Sequence, residues 1–265
     1  MKRFLAALRF LTVLPVPGRA GTARTDLAGS PSFFPVVGLL IGGAAAALAL
    51  GLTHILPILP AAVLVALFLA AASGGLHLDG LSDTADGLLG ARSRERALEI
   101  MRDSRAGPMG VAAVASVLGL KFAALGSLDP AGLWRAALLM PLAGRCALVV
   151  GLAAAPYARE EGLASAFHAG PRASQAPLSV LALALAGWLA AGNAGLAVAL
   201  AATGAALLFT LWTRGRLGGT TGDTLGAGCE LVEAVGALVL ATWSFKGLGW
   251  ASGASILLRA LGGAA

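Results

Sequence analysis

The sequence predicts an all-α fold, a polytopic integral membrane bundle of about seven transmembrane helices with an N-terminal interfacial helix. Three observations carry this. Of 265 residues, 58% are hydrophobic and only 12% charged, about half the charged share of a soluble domain. Apolar stretches near the length of about 20 residues that crosses a hydrocarbon core recur along the chain. The Lys and Arg residues between them fall in every second loop, as the positive-inside rule requires.

The elements follow in order. Lys2 and Arg3 precede an apolar stretch in the manner of a signal peptide. Arg9 interrupts that stretch, and Pro15 and Pro17 follow without a small-residue cleavage site. An uncleaved amphipathic helix lying in the interface is therefore expected within Met1–Gly18. Spans are predicted at Phe33–Thr53, Ile58–Leu76, Val111–Leu128, Leu133–Ala155, Leu178–Ala191, Leu196–Trp212 and Leu231–Trp250, the fifth being short. Ser255–Leu261 is too short to cross. With the N-terminus cytoplasmic, the loops after the second, fourth and sixth spans are cytoplasmic too. They carry Arg92, Arg94, Arg96, Arg102 and Arg105, then Arg159 and Arg172, then Arg214 and Arg216. The outer turns near Pro57, Asp129 and Asn193 hold no Lys or Arg. Lys246 and Arg259, at an outer C-terminus, go against the trend. Trp134, Trp188 and Trp250 fall near the predicted outer interface and Trp212 near the inner one, as aromatic belts do. No repeat or linker divides residues 1–265, so one membrane domain is expected.

The net charge of +6 comes from these loop arginines. No basic run interleaved with aromatics is present, so nucleic acid is not an expected partner; the lipid bilayer is. Cys146 and Cys229 lie in or beside apolar segments without CxxC spacing, and read as small buried residues.

The acidic residues carry the chemistry. Seven of the 13 fall in three places on the predicted cytoplasmic side. Asp79, Asp83 and Asp86, in His77-Leu78-Asp79-Gly80-Leu81-Ser82-Asp83-Thr84-Ala85-Asp86-Gly87, stand at i, i+4 and i+7 on one helix face. Two such charges about 6 Å apart repel by roughly 3 kcal/mol at an effective dielectric near 20. A divalent cation removes that cost, and Mg²⁺ prefers carboxylate oxygens. Asp103 is the second place, with Glu99 one turn before it. Asp223, Glu230 and Glu233 are the third, again on one face. Ionisable residues at membrane depth are usually functional, although Glu95 and Glu99 can simply pair with nearby arginines. Arg102 and Arg105 flank Asp103 and suit phosphate oxygens or a neighbouring carboxylate equally. Gly218–Gly222 can offer backbone N–H groups to phosphate, but it lacks the Lys of a P-loop. His77 is a candidate general base, a hydrogen-bond partner or an interfacial residue.

The run His77–Gly87, followed by Ile100-Met101-Arg102-Asp103-Ser104-Arg105-Ala106-Gly107-Pro108-Met109-Gly110-Val111, resembles the cobalamin synthase family, the adenosylcobinamide-GDP ribazoletransferases. The resemblance extends to Phe10–Pro17, to Pro156-Tyr157-Ala158-Arg159-Glu160-Glu161-Gly162 and to Thr221–Ala227. It departs at Ala106, where a bulkier aliphatic residue is usual. It implies a Mg²⁺-dependent, multi-pass enzyme of the bacterial inner membrane with its site on the cytoplasmic side. The implied reaction joins adenosylcobinamide-GDP to α-ribazole, or its 5′-phosphate, and releases GMP. Asp79, Asp83, Asp86 and Asp103 would be the metal ligands, with one of them or His77 taking the hydroxyl proton. Arg102 and Arg105 would hold phosphate. Asp223, Glu230, Glu233 and Arg159 would contact substrate, the three acids alternatively holding a second metal. The partner set stays open between a homo-oligomer and other cobalamin-assembly enzymes.

Two other readings compete. A CDP-alcohol phosphotransferase shares the helices, the aspartates and the nucleotide release, but Asp83 and Asp86 follow Asp79-Gly80 too early for its motif. A cation-coupled transporter would place its acids near the midplane on broken helices, not at one membrane edge.

Overall fold

A computed structural model describes residues 1–103, 105–159, 162, 164–169, 174–250 and 253–254. Ser104, Glu160, Glu161, Arg172, Arg259 and the 255–261 stretch lie outside the described residues.

The chain begins with α1 (Lys2–Leu11) and α2 (Arg24–Gly29), and a 3-10 turn over Ser30–Phe33 leads into α3 (Phe34–Thr53). Seven helices then run back and forth: α3, α4 (Ile58–Ala72), α7 (Pro108–Gly126), α8 (Pro130–Ala154), α10 (Gln175–Ala191), α11 (Asn193–Leu217) and α12 (Gly222–Phe245). Between them lie α5 (Leu76–Gly90), α6 (Arg94–Ile100) and the single turn α9 (Ser165–His168). Five stretches are long and apolar enough to cross a membrane alone, α3 (continuous with α2), α7, α8, α11 and α12. The bent pair α4–α5 makes a sixth, and α10, apolar but only 17 residues long, is the seventh segment.

The second span departs from its predicted limits. Helix α4 stops at Ala72, and α5 leaves it at 85°. The turn is made by Gly74 and Gly75, at φ 61° and 74°, a backbone region that side chains with a Cβ rarely enter. Ser73-Gly74-Gly75 is a turn signal in the sequence, and the span prediction to Leu76 runs through it because hydropathy alone sets its limits.

Helix α8 is the axis of the bundle, buried along nearly its whole length against α3, α10, α11 and α12. Small residues let the backbones approach, as they do where lipid gives no hydrophobic drive between helices. Gly38 and Gly42 form a small-xxx-small step on α3. A Cβ on Gly38 would sit 2.7 Å from the Pro141 carbonyl oxygen, and one on Gly42 would collide with the Leu138 carbonyl. Cys146 and Cys229 are both buried and unbridged, as expected.

The two ends of the bundle differ. At one, Asp129 accepts from the Trp250 indole at 3.0 Å, while the Arg135 guanidinium lies 4.4 Å from the Trp134 ring and 5.5 Å from the Trp250 ring. Trp134 and Trp250 thus share the end at which α8 begins. Arg135 lies inside a predicted span, and with Lys246 at the C-cap of α12 it puts positive charge at this end too. At the other end the arginines cap carbonyls: Arg94 donates to Leu217 O and Ala158 O at 2.7 and 3.0 Å, and Arg216 donates to Leu88 O. Cations at helix C-termini complement the dipole there. This arginine-rich end carries α5, α6 and α9.

Helix α1 lies across the same end, with Ala6, Ala7 and Leu11 buried. Phe10 reaches inward, its ring 4.6 Å from that of Phe167 and 6.1 Å from that of Phe34.

Candidate functional site

The site forms where α5 crosses the start of α12. Two glycines set that crossing. A Cβ on Gly80 would lie 2.7 Å from Asp223 O, and one on Gly226 would lie 3.3 Å from His77 Cα. The crossing opens a cavity of about 170 Å³, lined on its polar side by His77, Asp79, Asp223, Tyr157 and Arg159.

Each element is held locally. Thr221 caps α12, accepting from Thr224 N at 3.2 Å while Thr224 Oγ1 accepts from Thr221 N at 2.8 Å. This is a reciprocal capping box. The preceding loop pairs with the segment after α8: Thr220 N donates to Pro156 O, and Ala158 N to Thr220 O, both at 2.8 Å. These contacts answer the sequence expectation for Gly218–Gly222. The amides of Gly218, Thr220 and Thr221 are spent within the fold, so the loop is a brace for Asp223 more than a phosphate cradle.

Asp223 accepts from Arg159 Nη2 at 2.8 Å and from Thr221 Oγ1 at 3.3 Å. Asp79 and Asp83, one turn apart on α5, face the same region. Asp83 feels the charges of Asp79, Asp223 and Asp86, and Arg159 offsets them. One guanidinium among these carboxylates leaves the cluster net negative. Arg102 is exposed at the end of α6, and its charge, with that of Arg159, bears on Tyr157.

The other predicted site residues are deployed differently. Asp86 is nearly buried, and both of its oxygens accept backbone N–H groups, from Gly107 at 2.7 Å and Gly110 at 2.9 Å. Gly107 is the N-cap of α7 and has no side chain to cap with. Asp86 does that work from α5. A carboxylate at a helix N-terminus satisfies orphan donors and complements the dipole. Asp103 forms a two-oxygen pair with Arg105, 2.6 Å at its shortest, on the exposed side of the α6–α7 connection. Arg105 holds the Asp103 carboxyl down at about 2. Glu99 pairs with Arg96 at 2.6 Å on the surface.

Glu230 and Glu233 lie deeper along α12, 4% and 2% exposed. Lys121 of α7 donates to both, at 2.6 and 2.7 Å, and Arg145 of α8 donates to Glu233. Two acids and two cations cancel in the bundle interior and tie α7, α8 and α12 together. Such a pair stays stable only while all its partners are present. Lys121 and Arg145 were missed by the sequence reading. Their signal is a cation deep inside an apolar span, Lys121 in the third and Arg145 in the middle of the fourth, which needs an acid from another helix.

His77 is 2% exposed, lines the cavity, and has no hydrogen-bond partner on either ring nitrogen. Buried polar atoms without partners are uncommon and mark places where a ligand or water belongs.

Among the described residues, no three His, Cys, Asp or Glu side chains converge tightly enough to hold a metal ion by themselves. Asp79 and Asp83 still offer the right donor chemistry. Mg²⁺ commonly takes one or two carboxylates and completes its shell with water and substrate phosphate oxygens. Asp79 in the cavity lining with the Asp83 charge beside it fits that mode.

Fold and site together define a polytopic α-helical membrane protein with an acidic, arginine-rimmed cavity at one membrane edge. The chain belongs to the cobalamin-5-phosphate synthase family, whose model matches residues 3–241. Similar proteins include the adenosylcobinamide-GDP ribazoletransferase of Roseiflexus sp. (strain RS-1), 47% identical over 86% of this chain and 85% of its own length. Proteins of the same description from Stutzerimonas stutzeri and Herpetosiphon aurantiacus are 44% and 42% identical, each over 88% of this chain and over 95% and 93% of their own lengths. No solved structure is a significant match.

Proposed function

We propose that this protein is an adenosylcobinamide-GDP ribazoletransferase of the bacterial plasma membrane, working with Mg²⁺ on the cytoplasmic side. The observation that carries the reading is the meeting of Asp79, Asp223 and Arg159 at one cavity, with Asp83 close enough to feel all three charges, in a chain of this family.

The reaction forms one P–O bond and breaks another. A ribazole hydroxyl oxygen attacks the phosphorus attached to the cobinamide side chain. The bridging oxygen leaves with GMP, and the hydroxyl gives up its proton. Mg²⁺, when bound, neutralises the diphosphate and favours in-line displacement. Asp79 and Asp83 would hold it. Arg159 steadies Asp223 and offers its guanidinium to phosphate oxygens, with Arg102 at the rim. Asp223, Asp79 or His77 takes the hydroxyl proton, each lining the cavity. Asp86 and Asp103 serve the site by shaping the α5–α7 region, and Glu230 and Glu233 by fixing α12. These four assignments differ from those that the sequence pattern alone suggests.

The orientation rests on charge. Arg92, Arg94, Arg96, Arg102, Arg105, Arg159, Arg214 and Arg216 all belong to the segments at the cavity end, which is the cytoplasmic pattern. A reporter fused after Gly90 is expected to read cytoplasmic; a periplasmic reading inverts the topology. The activity is tested by incubating the purified protein with Mg²⁺, adenosylcobinamide-GDP and α-ribazole. GMP and a completed corrinoid are expected in equal amounts. A folded protein that releases no GMP refutes the assignment.

A further inference from the structure

The cavity has a second wall that phosphate chemistry does not use. Besides the acids it is lined by Phe10, Phe34, Phe167, Leu148 and Leu152. Three aromatic rings from three separate segments meet there, with centroid separations of 4.6, 5.6 and 6.1 Å. Phe10 comes from helix α1, so the N-terminal helix contributes to the cavity lining.

Taking the proposed function as its basis, we infer that this wall is the subsite for the dimethylbenzimidazole base of the acceptor, with His77 meeting its single free ring nitrogen. Three considerations select that occupant. The first is size: a cavity of roughly 150 Å³ lined by apolar side chains takes a benzene ring. The space here is about 170 Å³ and partly open, enough for the rings of a bicyclic base whose ribose extends outward. A corrin macrocycle does not enter. The second is polarity. Guanine carries several N–H and C=O groups along its edge, and an apolar wall would leave them unpaired at a cost of about 1–3 kcal/mol each. Dimethylbenzimidazole presents methyl groups and one ring nitrogen. The third is His77, whose two ring nitrogens are buried, without a partner, and in the cavity lining. One N–H donor is what the base requires. Seated this way, the base points its ribose toward Asp79 and Asp223, which line the same cavity.

The experiment measures saturable binding of free dimethylbenzimidazole to the full-length protein in nanodiscs, with guanine and α-ribazole as competitors. Binding is expected, with displacement by α-ribazole and none by guanine. Phe10→Ala is expected to weaken it about tenfold, equivalent to about 1.4 kcal/mol, while Phe10→Leu, which keeps the apolar volume, retains most of it. In turnover, Phe10→Ala is expected to raise KM for α-ribazole and leave KM for adenosylcobinamide-GDP in place. Absent binding, displacement by guanine, or a KM effect confined to adenosylcobinamide-GDP overturns the subsite. Failure of the functional assignment shows separately, as a wild-type protein that binds the base and releases no GMP.

Discussion

Asp86→Asn separates two roles for the third aspartate of α5. The run of carboxylates suggests a metal ligand; the structure makes Asp86 the cap of α7. Its oxygens accept from Gly107 N and Gly110 N at 2.7 and 2.9 Å, in a site only 9% exposed. A charge-assisted hydrogen bond contributes about 1.5–3 kcal/mol, and a carboxylate at a helix N-terminus adds about 0.3–1 kcal/mol. Asparagine keeps one carbonyl acceptor and turns an NH₂ group toward the other N–H donor. The net loss is therefore about one charged bond plus the dipole term, about 3 kcal/mol. For a chain of this size each kcal/mol moves Tm by about 2–4 °C, so a fall of about 6–12 °C is expected. The assay is thermal unfolding of the purified protein in detergent with EDTA present, since a cap acts without metal. Asp103→Asn, at an exposed position, is the control and is expected to stay near the wild-type Tm. An Asp86→Asn protein with wild-type Tm in EDTA that loses a Mg²⁺-dependent rise in Tm would refute the capping argument and restore Asp86 as a ligand.

Lys121→Met strands Glu230 and Glu233 in the bundle interior, with only Arg145 left to offset them. A loss of about 3–5 kcal/mol is expected, with part of it recovered in Lys121→Met/Glu230→Gln; a double-mutant cycle on unfolding measures the coupling. Gly42→Ala drives a methyl into the Leu138 carbonyl, whereas Gly43→Ala meets nothing within 4 Å. The first is expected to cost about 1–3 kcal/mol and the second nothing, as read by thermal unfolding of the pair. The Asp103 carboxyl is expected to titrate near 2 by NMR and to return toward 3.8 in Arg105→Ala. Because its folded pKa is depressed, whatever the Asp103–Arg105 pair adds to stability is present above the unfolded value and lost as pH falls through about 2.

Hydropathy and loop charge made the bundle legible from sequence, because burial in lipid constrains every span alike. Seven apolar segments and the grouping of arginines at one end are both found. Hydropathy passes over the break at Gly74–Gly75, because small residues barely lower it, although Ser73-Gly74-Gly75 is a turn signal of its own. Within the site, helical spacing puts Asp79 and Asp83 on one face, and Asp83 does feel the Asp79 charge; Asp223 stands in the first turn of α12, just after the loop that braces it. Spacing could not distinguish Asp86, one turn further along, because its partners are backbone amides of a helix start some 20 residues away. Nor could it separate Glu230 and Glu233 from Asp223 on the same face of α12; depth in the bundle, set by Lys121 and Arg145, does that. The aromatic wall was invisible for a related reason. Phe10, Phe34 and Phe167 are far apart in sequence and look like ordinary apolar residues until the fold gathers them.

The most direct test of the central claim is the Mg²⁺ dependence of GMP release by wild-type protein and by Asp83→Asn, each first shown to be inserted and folded. The account predicts saturable activation of the wild type by Mg²⁺ and no turnover by the variant at any Mg²⁺ concentration. Full activity in EDTA, or an Asp83→Asn protein working near the wild-type rate, would contradict it.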